Sequence, residues 1–148
     1  MRRPKPPAPA TGSADDVEVE FYEALQRGDI DRLMGLWSDD DEISCVHPGG
    51  PRLVGSVAIR ASFDAMFANG TIDARPEKVR RLDTHSTAVH SVLERIRVVG
   101  PEGEVSAWVV ATNVYIKSTR GWRLVAHHAS PGTPHEVQEQ AETASILH

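Results

Sequence analysis

The sequence predicts an α+β domain in which N-terminal helices pack inside a strongly curved, mainly antiparallel sheet. Three observations predict it. Apolar residues recur at helical spacing three times before residue 70. After residue 75 come four long runs rich in Val, Thr, Tyr and Ile, separated by short turns. Helices come first and strands afterwards, and consecutive strands joined by short turns pair antiparallel as a meander.

Residues 1–13, MRRPKPPAPATGS, hold four of the ten prolines and little to bury, so they read as an extended or disordered tail. The first helix runs from Ser13 to Gly28. Ser13 and Asp16 offer a cap, Asp15, Asp16 and Glu18 suit the positive end of the helix dipole, and Val17, Phe21, Ala24 and Leu25 form one stripe. Asp29 caps a shorter helix carrying Ile30, Leu33 and Trp37. Ser38–Glu42 is an acidic loop without the alternating ligand spacing or central glycine of a calcium loop. Ile43–Val46 is a short strand running into the stiff turn His47-Pro48-Gly49-Gly50-Pro51. Leu53-Val54-Gly55 leads into a third helix, Ser56–Asn69, buried through Ile59, Phe63, Met66 and Phe67. The long strands are Glu77–Thr84, Thr87–Val99, Val105–Lys117 and Trp122–Ala129. A single domain over 14–131, with a C-terminal tail over 132–148, is the expected organisation.

Bulk properties narrow the function. At 148 residues one core buries roughly two-thirds of the surface, so neither metal nor disulfide is needed to fold. A net charge of −5 argues against a general nucleic-acid binder. The single cysteine, Cys45, precludes an intrachain disulfide and fits a reducing compartment as a buried thiol. No apolar run reaches the ~18 residues of a membrane span. Arg2, Arg3 and Lys5 are not followed by the apolar segment of a secretory signal. The expectation is a cytoplasmic protein without membrane or nucleic-acid partners.

The last strand, GWRLVAHHASP, places two histidines side by side, and neighbouring strand residues leave on opposite faces. Strict alternation groups Trp122, Leu124, Ala126 and His128 on one face. Arg123, Val125, His127 and Ala129 take the other. The aromatic and Leu belong with a core, so His128 is expected inside and His127 outside. One bulge would invert this assignment.

The stretches FYEALQRGDIDRLMGLWSDD (Phe21–Asp40), SCVHPGGPRLVG (Ser44–Gly55), AIRASFDAMFAN, ATNVYIK (Ala111–Lys117) and GWRLVAHHASP together resemble the nuclear transport factor 2-like superfamily, and within it the SnoaL-like branch. That superfamily includes ketosteroid isomerase and the SnoaL-like polyketide cyclases. The resemblance implies a cone-shaped fold with an apolar pocket and a dimer across the outer sheet face. Ketosteroid isomerase uses an aspartate base with a tyrosine and a protonated acid as oxyanion donors. Tyr22 falls where the family tyrosine lies, and the base would fall near Asp40 or Asp41. The second acid would come from Val105–Lys117, which contains none, only Thr112 and Asn113 as polar candidates. Steroid isomerisation by that mechanism is therefore not expected.

The residues expected to carry chemistry are His47, held steady before a rigid turn, with His128 and Asp40. Tyr22, Trp37, Phe63, Glu94, Trp108 and Asn113 are expected to line the ligand site. Glu94 shares a strand face with Ala88, His90, Val92 and Ile96, where a buried carboxylate would have a raised pKa; the alternative is that this face meets solvent or a partner. No His-x-His or His-x-x-x-His pair with a nearby carboxylate appears. A three-ligand metal site would need His47, His90 and one of the adjacent pair. No cofactor is expected, and no phosphate-cradling glycine loop is present. Two readings stay open. One is a small-molecule binding protein or cofactor-free enzyme performing isomerisation, cyclisation or dehydration of an apolar or carbonyl ligand. The other is a non-catalytic association module. Separately from both, a homodimer is expected through the outer sheet face, Val89, Leu93, Val99, Arg123, Val125, His127 and Ala129.

Overall fold

In the computed structural model, which describes residues 12–133 and 138–142, three helices precede a six-stranded sheet. Helix α1 spans Ala14–Arg27, capped by Ser13, whose Oγ accepts from the Asp16 amide at 3.1 Å. Gly28 ends it at φ 66°, and its N–H returns to the carbonyls of Ala24 and Leu25. Helix α2 is Ile30–Gly35, capped by Asp29, and α3 is Ser56–Phe67. The strands are β1 (Ser44–Val46), β2 (Arg52–Val54), β3 (Ala74–Asp83), β4 (Thr87–Gly100), β5 (Gly103–Ser118) and β6 (Gly121–Pro131). They lie in the order β2-β1-β6-β5-β4-β3. The architecture is the α+β cone the sequence predicts, with the sheet open rather than closed.

Two features go beyond that reading. Residues 52–54, read as a passage into the third helix, form strand β2, with Leu53 opposite Cys45. Strand β1 runs parallel to β6, so Cys45 faces His127 and Val46 faces His128. The rest is antiparallel. The helical stripes pack as their spacing requires: Val17, Phe21, Ala24, Leu25, Leu33, Ile59 and Phe63 are all buried in one core with Leu36, Ile43, Val92 and Leu124.

The β5–β6 register corrects the strand-face assignment. Val114 stands opposite Ala126, but Tyr115 stands opposite Leu124. Val125 is thus an extra residue, a bulge that shifts the pleat by one. Leu124 before it and His127 and Ala129 after it are all buried, while His128 is exposed. The expectation that His128 faces the interior is overturned, and His127 takes its place. The predicted outer face changes accordingly. His127 and Ala129 leave it, Val125 packs against the core, and Ala126, His128 and Ser130 join it. The side chain of Val99 lies outside the described residues, as do residues 1–11 of the predicted tail and most of 134–148.

Candidate functional site

The inner face of the sheet carries more polarity than a core usually holds. His90 and Glu94 on β4, Asn113 on β5 and His127 on β6 are all buried. Their neighbours on that face, Ala88, Val92 and Ala111, are apolar and small, so unpaired polar groups there would be costly. Helix α1 supplies the partners. Glu18 and Tyr22, four residues apart, share one helix face and both point at the sheet.

The bonds from Tyr22 form a chain with a fixed direction. The Tyr22 hydroxyl donates to Glu94 Oε2 at 2.6 Å. Its oxygen accepts from Asn113 Nδ2 at 3.1 Å. Asn113 Oδ1 then faces His127 Nδ1 at 2.5 Å. An amide oxygen only accepts, so Nδ1 must carry a hydrogen and the neutral ring keeps its lone pair on Nε2. The order is therefore His127 to Asn113 to Tyr22 to Glu94, each donating to the next. Beside it, Glu18 Oε2 accepts from Tyr115 at 2.8 Å and lies 2.8 Å from His90 Nδ1.

Burial sets the protonation of this chain. The Glu94 carboxyl is pushed up to about 7, chiefly by desolvation, against the lowering effect of the Tyr22 hydrogen bond. Burial also raises the Tyr22 and Tyr115 phenols well above the usual tyrosine range, so both stay protonated. The His127 imidazole is driven down to about 3 by burial, with His47 and His128 adding repulsion. The Cys45 thiol is raised to about 12 by burial, which keeps it an inert thiol. The one group of this chain poised near neutrality is Glu94.

An aromatic row extends the site. His127 lies 5.2 Å from Phe21, Phe21 lies 6.4 Å from Phe63, and Phe63 meets His47 edge-on at 4.9 Å. His47 is half-buried, and desolvation lowers its pKa. Its Nε2 is 2.9 Å from Ser62 Oγ. Ser62 already donates to the Ile59 carbonyl, so Nε2 donates to Ser62 and the His47 lone pair sits on Nδ1.

Of the residues singled out from the sequence, Tyr22, Glu94 and Asn113 meet in one network, and His47 and Phe63 join it through the aromatic row. Trp37 is buried, with an indole N–H that finds no partner among the described residues, and it borders a separate hollow of about 320 Å³ with Met34, Ser56 and Arg60. Asp40 is exposed. It shapes its own turn by accepting from the Glu42 amide at 2.8 Å, the Asx geometry its loop favours. Trp108 is also misplaced by the sequence reading. It pairs across the strands with Arg95, whose guanidinium sits 4.8 Å from the indole ring, on the outer face. There it lines a cavity of about 360 Å³ with Leu93, Gln138 and Glu139. Sequence reasoning missed Glu18, His90 and Tyr115 as network members. The available signal was Glu18 standing one helical turn before Tyr22.

The SnoaL-like domain model matches residues 15–134. The chain belongs to the SnoaL-like family. Two solved structures above 30% identity resemble this SnoaL-like protein closely. One is a putative dehydratase of the NTF2-like family from Streptomyces avermitilis, 34% identical with a TM-score of 0.71, covering 79% of this chain and 92% of its own. The other is a putative calcium/calmodulin-dependent protein kinase type II association domain from Thiobacillus denitrificans. It is 31% identical with a TM-score of 0.76, covering 84% and 99%. A protein with a cystatin-like fold from Caulobacter vibrioides, 16% identical with a TM-score of 0.70 over 81% of this chain and 87% of its own, shares the fold. No curated protein matches the chain. Among the described residues no helix is long and apolar enough to cross a membrane.

Proposed function

We propose that this SnoaL-like protein binds a small carbonyl-bearing ligand against the inner face of the sheet and exchanges a proton with it through Glu94. The chemistry is isomerase, cyclase or dehydratase in type. The observation that carries this reading is the directed chain from His127 to Glu94, ending on a carboxyl poised at about 7. A group titrating near the working pH serves as base and as acid with little penalty either way. As carboxylate, Glu94 removes a proton beside a carbonyl. As acid, it donates to the carbonyl oxygen through Oε1 while Oε2 keeps the Tyr22 hydroxyl. Asn113 and His127 hold Tyr22 in register, and Phe21, Phe63 and His47 supply an aromatic wall. The 34% identity to a putative dehydratase supports the same class of chemistry.

Thermal-shift titration against small carbonyl and aromatic compounds tests it. A ligand at 100 times its Kd should add about 2.7 kcal/mol of stability to the native protein. The shift should vanish in Glu94→Gln and survive in His128→Ala. A shift that survives Glu94→Gln would remove Glu94 from the site.

The second reading, an association module, rests on the 31% identity to an association domain. It needs a self-complementary surface. The outer face offers one: Val110, Val114, Ile116 and Ala126 are only half-buried around exposed Thr112 and His128. Light scattering should report a dimer that Val114→Asp converts to monomer. A stable wild-type monomer would dismiss this face as an interface, and a larger ring would favour association as the protein's main role.

A further inference from the structure

Two carboxyl groups are buried between α1 and the sheet: Glu18 on α1, 4% exposed, and Glu94 on β4, 5% exposed. Two such groups that feel one another do not ionise alike. The one with more hydrogen-bond donors takes the negative charge, and that charge holds the proton on the other. The donors are divided unequally here. Glu18 Oε2 accepts from the Tyr115 hydroxyl at 2.8 Å and from His90 Nδ1, also at 2.8 Å. Glu94 Oε2 accepts from the Tyr22 hydroxyl at 2.6 Å, its one donor among the described residues. Helix and pleat spacing tie the two groups together. Glu18 and Tyr22 stand one helical turn apart on α1, and His90 and Glu94 stand four residues apart on one face of β4. So Glu18 meets His90 while Tyr22 meets Glu94. Asn113, opposite His90 in the sheet, reaches the Tyr115 hydroxyl as well as that of Tyr22.

We propose that Glu18 is a positioning residue for proton exchange at Glu94: fixed as a carboxylate by Tyr115 and His90, it holds the standing negative charge of the pair and leaves Glu94 as the carboxyl that carries and gives up the proton. The inference rests on the reading of Glu94 as the proton-exchanging group, and it names what sets that group's proton. Desolvation is the main cause of the raised Glu94 carboxyl, and the Glu18 charge adds to it. The groups facing each carboxyl come from several elements. Glu94 faces Tyr22 and Glu18 on α1 and the Cys45 thiol on β1, and it is linked to His127 on β6 through Tyr22 and Asn113. Glu18 faces His90 on β4, Tyr115 on β5 and the Arg81 guanidinium on β3. Arg81 Nε donates to Asp15 Oδ1 at 2.7 Å, so its charge is already shared with another carboxylate. Tyr115 and His90 thereby gain a part in the site without touching a ligand. They fix Glu18, and Glu18 acts on Glu94 through its charge.

Difference infrared spectra of the full chain, taken from about pH 5 to pH 9, test the proposal without any ligand. The carbonyl stretch of the buried, protonated Glu94 is the band that Glu94→Gln removes, and in the wild type it should titrate with a midpoint of about 7. Glu18→Gln keeps the shape and an oxygen for Tyr115 and His90 but takes away the charge. The midpoint should then fall by roughly half a unit or more, the size of a like charge felt through an effective dielectric near 20. Glu18→Asp keeps the charge and should move the midpoint less than Glu18→Gln does. Tyr22→Phe removes the donor to Glu94 and should raise it. If Glu18→Gln does not fold, Glu18→Met combined with His90→Leu and Tyr115→Phe replaces the charge and both donors by apolar shapes, and the same fall is expected. A midpoint that stays or rises once the Glu18 charge is gone would overturn the role of Glu18 and leave Glu94 as the proton carrier. A wild type with no such band near neutral pH would end the Glu94 reading itself, and this inference with it.

Discussion

Glu94→Gln should make the protein more stable than wild type above pH 7, and the advantage should fade as the pH falls toward 4.5. An unfolded glutamate ionises through 4.5, whereas the folded carboxyl holds its proton up to about 7. Between those values the unfolded state binds fewer protons, so stability falls as pH rises and levels off once the folded group has ionised. The size is about 3 kcal/mol for a group this deeply buried. Glutamine keeps the shape, and its amide oxygen can still accept from Tyr22, so the hydrogen-bond chain survives while the ionisation disappears. Urea melts of both proteins at pH 5 and pH 8 measure it. The difference between the proteins is the readout, because His127 contributes an opposite slope between 4.5 and 6.5 that nearly cancels Glu94 in the wild type alone. A difference that does not change with pH would mean Glu94 titrates like any exposed glutamate, and the acid–base proposal would lose its basis.

The same variant separates stability from function. A carboxyl kept in an apolar wall against a cost of this size is what an acid–base site requires and what a packing role does not. Gain of stability together with loss of the ligand shift is the signature of a destabilising group retained for its chemistry. Gain of stability with the ligand shift intact would leave Glu94 as a core oddity.

The fold was legible because its signals are local and repeated. Ser13 and Gly28 bracket α1 as their chemistry demands, and four β-rich runs with short turns leave little choice but a meander. Strand β2 was hidden because three residues beside glycines and prolines carry no periodicity of their own. The site was half legible. Glu94 and Asn113 could be named because each is a polar residue on an otherwise apolar face, and Tyr22 because the family resemblance placed it. Asp40 and Trp108 were misread for different reasons. Asp40 was placed by resemblance, whereas its side chain closes an Asx turn. Trp108 looked like core because it is large and aromatic, but alternation from Asn113 already put it on the opposite face, where Arg95 covers it. Glu18 was read as a dipole acid at a helix start, which hid its pairing with His90 and Tyr115. No single-strand pattern reveals such a partner, because it lies on a different element.

His127→Ala should destabilise the protein by about 3–5 kcal/mol at neutral pH, while His128→Ala should stay within about 0.5 kcal/mol. The adjacent residues differ because the Val125 bulge turns one ring inward and the other outward. Truncating His127 empties space against Phe21, 5.2 Å from the ring, and strips Asn113 Oδ1 of its donor in a buried setting. The ring also sets acid sensitivity. Unfolded histidine protonates through 6.5, but the folded ring stays neutral down to about 3. The unfolded state binds the extra proton, so stability is lost as pH falls through that window, by about 5 kcal/mol at its lower end. His127→Ala should therefore start from lower stability at pH 7 yet lose less on acidification, and His128→Ala should track the wild type throughout. Denaturant melts at pH 7, 5.5 and 4.5 check both. If the two variants exchange behaviour, β6 pairs in solution without the bulge. His128 would then be the interior histidine, and the chain through Asn113 to Glu94 would lose its first donor.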